Sequence, residues 1–208
     1  MEDILDQYAR SYDPRSPLLC YDERPCQLLG EVLVPLPVEP GQPRRVEYED
    51  ERHGTCWVRL AFEPQTGVRD VQVRAQRPAV DYAHFLRDLV QRPYPRGERV
   101  RLVQDTLTTH TPGSCYHVWP PAKAFPFAQR FELHDTPKQG RWLNLAEIEF
   151  AALATQCLDR RIPDQGQLEK AVLAWARART QARKTVQWTF TQTRAREKLK
   201  SKYSMIKN

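Results

Sequence analysis

Three carboxylates stand where an apolar run ends or a helix begins. Asp22 follows Leu18-Leu19-Cys20-Tyr21, Asp105 follows Val100 to Gln104, and Glu147 lies three residues after Asn144. Strands lying side by side bring residues at matching ends to one edge of a sheet, where sites form. Carboxylates gathered there repel, so at least one takes up a proton unless a cation neutralises the group. Oxygen donors with no His or Cys cluster suit Mg²⁺ or Mn²⁺. Two such ions ~4 Å apart activate an attacking oxygen and stabilise a leaving one in phosphoryl transfer. Each acid also has a plainer role. An aspartate after an apolar run is commonly a turn residue facing solvent. Asn144-x-x-Glu147 also fits a capping box, in which the glutamate accepts from a backbone N–H and contributes about 1 kcal/mol. Periodicity does not separate Glu147 from Glu149, because residues 143–154 are apolar nearly all round.

Other chemistry-bearing residues offer less. His110, His117 and His134 are not at metal-ligand spacing and read as loop or half-buried histidines. Ser114 and Cys115 lack a nucleophile elbow. Gly113 stands alone, so there is no glycine-rich phosphate loop. The five cysteines are scattered and never spaced as CxxC, which supports neither a zinc site nor a disulfide framework and implies reduced thiols.

The elements that must position the acids follow from the hydrophobic pattern. Residues 1–16 hold a short lead-in helix (Ile4, Leu5, Tyr8), and Leu18–Tyr21 is a buried strand. A long connection broken by Pro35, Pro37, Pro40, Gly41 and Pro43 follows. Thr55 to Phe62 and Val68 to Val73 alternate around the turn Pro64-Gln65-Thr66-Gly67 and form a hairpin. Val80 to Val90 is an amphipathic helix, Arg99 to Asp105 a strand, and Ser114 to Gln129 helical but interrupted by prolines. A strand at Phe131–Leu133 precedes a helix from Asn144 to about Arg161, stopped by Pro163. A second long helix runs from Gln165 to Lys184, an alternating stretch from Thr185 to Thr191, and a basic helix from Thr193 to Tyr203. Mixing a hairpin with strand–helix–strand crossovers predicts an α/β domain, a mixed sheet with helices on its faces.

Charge is divided along the chain. Residues 170–208 carry eleven Lys/Arg and one acid, leaving 21 basic and 25 acidic residues in the preceding 169. A basic tail on an acidic body suits a polyanion, nucleic acid first, or forms a solvated helical face. No run of 18 apolar residues occurs, and the acidic N-terminus has no apolar core, so neither a membrane span nor a signal peptide is expected.

Several motifs in order resemble one family. Leu19-Cys20-Tyr21-Asp22-Glu23, then Val103-Gln104-Asp105-Thr106-Leu107-Thr108-Thr109-His110, then Thr136-Pro137-Lys138-x-Gly140-x-Trp142-Leu143-Asn144-x-x-Glu147 are similar to the DDE transposases. The branch is the bacterial insertion-sequence group (IS family 630) related to the mariner elements. Gln156 to Pro163 and Val186-x-Trp188-x-Phe190-Thr191 fit the same group. The resemblance implies a ribonuclease-H-like mixed sheet flanked by helices over residues 17–163, with a C-terminal basic helical extension over 164–208. It implies that Asp22, Asp105 and Glu147, not Glu149, are the catalytic acids and hold two Mg²⁺ or Mn²⁺ ions. The implied reaction is cleavage at element ends, then attack of the freed 3′-hydroxyl on target DNA.

The implied partner is double-stranded DNA, bound by a homodimer whose protomers touch through the Pro-rich connection, in the cytoplasm at the nucleoid. The tail residues Arg177, Arg179, Arg183, Lys184, Arg194, Arg196, Lys198 and Lys200 are then expected to contact DNA backbone. Complete members carry N-terminal helix-turn-helix modules that recognise the ends; with Met1 in the linker position, that recognition is expected from another polypeptide or a longer reading frame, or this copy is truncated. Thr106 and Thr108 stand where the family has Asn, and Gln139 and Arg141 replace the residues of its Lys-His-Gly-Ser pattern. The alternative to a transposase catalytic domain is an inactive remnant that binds DNA through its tail.

Overall fold

The computed structural model describes residues 1–31, 50–94, 99–107 and 110–200. Its strands are β1 (Leu18–Glu31), β2 (Asp50–Phe62), β3 (Arg69–Arg74), β4 (Val100–Asp105) and β5 (Phe131–Thr136). Its helices are α1 (Glu2–Ala9), α2 (Ala79–Gln91), α3 (Pro121–Ala128), α4 (Ala146–Gln156), α5 (Gln165–Gln181) and α6 (Gln192–Lys198). Short 3₁₀ turns span Pro112–His117 and Arg141–Leu143. The strands form one mixed sheet in the order β3-β2-β1-β4-β5. The first three are antiparallel, while β4 runs parallel to both β1 and β5.

Successive side chains of a strand point to opposite faces, so the unbroken run Leu18-Leu19-Cys20-Tyr21 feeds two cores. On one face Leu18, Cys20, Val58, Leu60 and Val103 pack with α1, α4 and α5. On the other, Leu19, Tyr21, Ala61 and Leu102 meet Tyr82, Phe85, Leu86 and Leu89 of α2. The hairpin turn needs its glycine twice over. Gly67 has φ +79°, and a Cβ there would lie 3.1 Å from the backbone of Arg183 and Lys184, which crosses the turn.

Some elements differ from the pattern-based expectation. β1 continues ten residues beyond Tyr21, to Glu31, because the buried Glu23 pairs with Arg59 of β2 and because β4 covers β1 only through Cys20. Past that point no described strand pairs with that edge of β1, where Leu29 donates instead to the Ile162 carbonyl (2.9 Å), so Pro25 removes no ladder bond on that side. Helix α4 ends at Gln156, short of Arg161, where the N–H groups of Cys157 and Leu158 both turn back to the Leu153 carbonyl. Residues 185–191 form no strand; Val186, Trp188 and Phe190 are half-buried against the first core. Helix α5, capped by Asp164 accepting from the Gln167 N–H (2.9 Å), buries Leu168, Val172 and Trp175 in that same core. The Pro-rich connection (Pro35 to Pro43), Thr108, Thr109 and the chain from residue 201 onward lie outside the described residues. All five cysteines are buried free thiols. Among the described residues no helix is long and apolar enough to cross a membrane.

Candidate active site

The parallel pairing of β1 with β4 sets the first two acids level. Cys20 is opposite Val103, so two residues further on Asp22 and Asp105 share one edge and one face. Asp22 sits inside the long β1 rather than at its end, two residues past the last one paired with β4. Both are buried, at 3% and 8% exposure. The third acid arrives on α4, whose start is tied to β1. The buried Asn144 donates from Nδ2 to the Tyr21 carbonyl (2.8 Å), one residue before Asp22, and the Tyr8 hydroxyl donates to the Leu143 carbonyl (2.6 Å). Asn144→Ala removes this anchor. We expect it to cost about 1–2 kcal/mol of stability and to lower any metal-dependent activity more than DNA affinity, checked by thermal melts and cleavage kinetics.

The two glutamates that periodicity left unresolved have separate environments. Glu149 is fully buried between Arg69 of β3 and Arg179 of α5, receiving both Arg179 Nε (3.0 Å) and Nη2 (2.8 Å). These guanidinium groups override the cost of burial and hold its carboxyl below the usual range. Glu147 is exposed in the first turn of α4. No capping box forms, because the Asn144 N–H donates to the Arg141 carbonyl (2.8 Å) and Asn144 Oδ1 accepts from Ala146 (3.2 Å).

Burial pushes Asp22 up to about 7; the Glu23 N–H, at 2.8 Å from Oδ1, opposes this, while the charges of Asp105 and Glu147 add to it and Arg141 subtracts. Asp105 meets two cations. His110 Nδ1 is 2.9 Å from its Oδ1, and the largely exposed Arg141 has Nη2 3.7 Å from its Oδ2. His110 is buried and would on that account be lowered, but the carboxylates of Asp105 and Glu23 raise it to about 9. Glu23 and His110 lie within the matched motifs, but the sequence assigned neither a role in the site and did not single out Arg59. Glu23 and Arg59 are opposed only by strand register, which no local pattern reports.

The eight tail cations divide in two. Arg177, Arg183, Lys184, Arg194, Lys198 and Lys200 are exposed. Arg179 is committed to Glu149, and Arg196 to Glu2 by two hydrogen bonds of 2.7 Å.

The acids fit a hard divalent cation in donor chemistry. They are oxygen donors only, and the buried Asp22 is burdened by two neighbouring negative charges that a cation would relieve. Among the described residues no group of three or more His, Cys, Asp or Glu side chains stands at metal-ligating geometry, so the acids are neighbours rather than a closed ligand set.

The model of a family described as DDE superfamily endonuclease matches residues 17–169. Among solved structures, the chain is similar to a pre-cleavage Mos1 transpososome, with a TM-score of 0.58, 19% identity, and coverage of 85% of this chain and 53% of that one. It is similar to a Mos1 mariner paired-end complex with Mn at a TM-score of 0.56 and 19% identity, covering 88% and 54%. A Mos1 strand transfer complex matches at 0.57 and 18%, covering 85% and 51%. The chain thus spans about half the length of those proteins, and the likeness shows a shared ribonuclease-H-like fold. No curated protein matches in sequence.

Proposed function

We propose, for a chain that belongs to the DDE superfamily endonuclease family, that it is the catalytic domain of a DNA transposase. Asp22, Asp105 and Glu147 are the acids that hold Mg²⁺ or Mn²⁺, two ions in the full assembly. The observation that supports this reading is that Asp22 and Asp105 lie level at one sheet edge, with Glu147 near enough for its charge, like that of Asp105, to help raise the buried Asp22 to about 7. Bound divalent cation supplies the positive charge that activates an attacking oxygen and stabilises a leaving one. The chain's own residues do the rest. Asp22 gives up its proton as the site fills. Asn144 keeps the start of α4, and with it Glu147, beside β1. Arg141, exposed and 3.7 Å from Asp105, is free to turn its guanidinium towards a phosphate. In the reaction a water or 3′-hydroxyl gives up its proton to solvent as its oxygen bonds to phosphorus, the P–O3′ bond breaks, and the departing oxygen takes up a proton from solvent.

The substrate is double-stranded DNA, element ends first and target second. Because the similar structures are paired-end and strand transfer complexes, we read this chain as acting in a dimer on DNA, with end recognition by helix-turn-helix modules. The six exposed tail cations contact phosphates and carry no sequence information. Arg194→Ala combined with Lys198→Ala is expected to weaken binding about equally across DNA sequences. It should also make the slope of log affinity against log salt shallower by about 2, read by fluorescence anisotropy between roughly 50 and 200 mM salt.

A second reading, a non-catalytic DNA-binding protein, draws on one observation: Arg141 rests against Asp105 where a cation would otherwise bind. A cleavage assay on element-end DNA in Mg²⁺ or Mn²⁺, with an end-binding partner supplied, separates the two. The transposase reading expects product that disappears in Asp105→Asn; none from either protein supports the second reading, and equal product from both overturns the catalytic assignment of Asp105.

A further inference from the structure

Behind the acids, on the α2 side of the sheet, a buried polar chain reaches round the end of β4. His110 lies there with its ring stacked on Tyr82 (centroids 4.9 Å apart, planes at 27°) and edge-on to Tyr21 (5.1 Å). Its carbonyl accepts from Gln104 Nε2 (2.7 Å), and Gln104 Oε1 in turn accepts from the Tyr82 hydroxyl (2.6 Å). His110 Nε2 faces Glu23 Oε1 at 3.6 Å. That oxygen is held by the Tyr21 hydroxyl (2.6 Å) and by Nε of the fully buried Arg59 (2.8 Å). The imidazole is therefore held by its faces and its backbone, while its far nitrogen makes no hydrogen bond among the described residues and is opposite the Glu23 charge. Its near nitrogen, Nδ1, is 2.9 Å from Asp105 Oδ1. An ionised carboxylate can only accept, so Nδ1 carries the hydrogen in this contact.

We propose that His110 is the positioning residue of Asp105: it pins Oδ1 inward and so presents Oδ2 to the site. This rests on the metal-site reading above and deepens it. Oδ2 is the oxygen that Arg141 approaches, and Arg141 is largely exposed, so Oδ2 is on the open side. A carboxylate free to rotate offers either oxygen in many orientations; one held at Oδ1 offers Oδ2 in a single orientation. Outer hydrogen-bond partners of metal ligands typically change metal affinity or activity about 10–100-fold when removed. Glu23 is the neighbour of Asp22 in β1, and adjacent strand residues face opposite ways. One dipeptide thus sends Asp22 to the site and Glu23 to the support behind Asp105.

The test uses two isosteres and the Mn²⁺ electron paramagnetic resonance signal of the DNA-free chain. The amide nitrogen of Asn overlies Nδ1 of His, and that of Gln overlies Nε2. His110→Asn is expected to keep Mn²⁺ affinity within about threefold, whereas His110→Gln weakens it by ~10-fold or more. Glu23→Gln keeps the side-chain volume but removes the charge behind Nε2, and should weaken affinity in the same direction by a smaller factor. Because it also leaves the buried Arg59 with only Asp81 opposite, it is read, like His110→Gln, at a temperature where its melt shows it folded. Thermal melts confirm that each variant is folded. Equal losses in the Asn and Gln variants, or unchanged affinity in His110→Gln and Glu23→Gln, overturn the inference alone. A wild-type chain that binds no Mn²⁺ overturns the metal-site reading and this inference with it.

Discussion

Asp22→Asn is expected to abolish metal-dependent DNA cleavage, by ~10³-fold or more, while making the metal-free protein more stable at pH 8. The two effects have one cause. Asp22 is buried near two other acids and is raised to about 7, so as a carboxylate it is a strained group in the metal-free protein. A group whose folded value is raised contributes stability that is fully present below its unfolded value, near 3.9, and lost as pH climbs through the folded value. Wild-type stability should therefore decline between about pH 4 and pH 7. A rise of about three pH units corresponds to at most ~4 kcal/mol, and some 1–3 kcal/mol is a realistic expectation after partial relaxation. Asparagine keeps the acceptor for the Glu23 N–H and lacks the charge, so its melting temperature should show no such decline. Melts from pH 4 to 8 with and without Mg²⁺ check this. A wild-type curve parallel to that of Asp22→Asn would mean that Asp22 is not burdened as described.

Glu149→Gln should unfold the protein far more readily than Glu147→Gln. Glu149 neutralises Arg69, whose side chain is fully buried, and ties α5 to β3 through Arg179. Removing one member of a buried ion pair leaves an uncompensated charge and costs about 3–5 kcal/mol. For a chain of this size that lowers the melting temperature by roughly 6–20 °C. Glu147 is exposed and caps nothing among the described residues, so Glu147→Gln should leave the melting temperature within about 2 °C while removing metal-dependent cleavage. Two glutamates two residues apart are thus expected to fail in opposite ways. A stable, inactive Glu149 variant beside an unstable, active Glu147 one would reverse the assignment.

That contrast also marks where local sequence stops being informative. The hairpin, α2 and the strand–acid junctions at Asp22 and Asp105 are written in short-range patterns: alternation, helical spacing, an apolar run closed by a charge. The choice between Glu147 and Glu149 depends on Arg69 and Arg179, 80 and 30 residues away, and α4 is too uniformly apolar to signal a preferred face. Beyond Tyr21, β1 was hidden for a similar reason. Glu23, Arg24 and Pro25 break the apolar pattern, and the strand persists because Glu23 meets Arg59 across the register and because no described strand needs the Pro25 N–H on its far edge. His110 reads locally as a loop histidine; only the rings of Tyr21 and Tyr82, brought from β1 and α2, make it a buried one. The basic tail was legible as charge but not as allocation, since Arg179 and Arg196 are taken up by Glu149 and Glu2 of distant elements.

Whether Asp22, Asp105 and Glu147 together form a divalent-cation site can be asked without DNA. Mn²⁺ is titrated calorimetrically into the chain at pH 7 in two buffers of different ionisation enthalpy. With Asp22 near half-protonated at that pH, binding should release about half a proton per chain, falling towards zero at pH 9. Affinity should drop in each of Asp22→Asn, Asp105→Asn and Glu147→Gln but persist in Glu149→Gln at temperatures where that variant is folded. Identical binding heats in wild type and all three acid variants, with no proton release at pH 7, would contradict the assignment of these acids as a metal site.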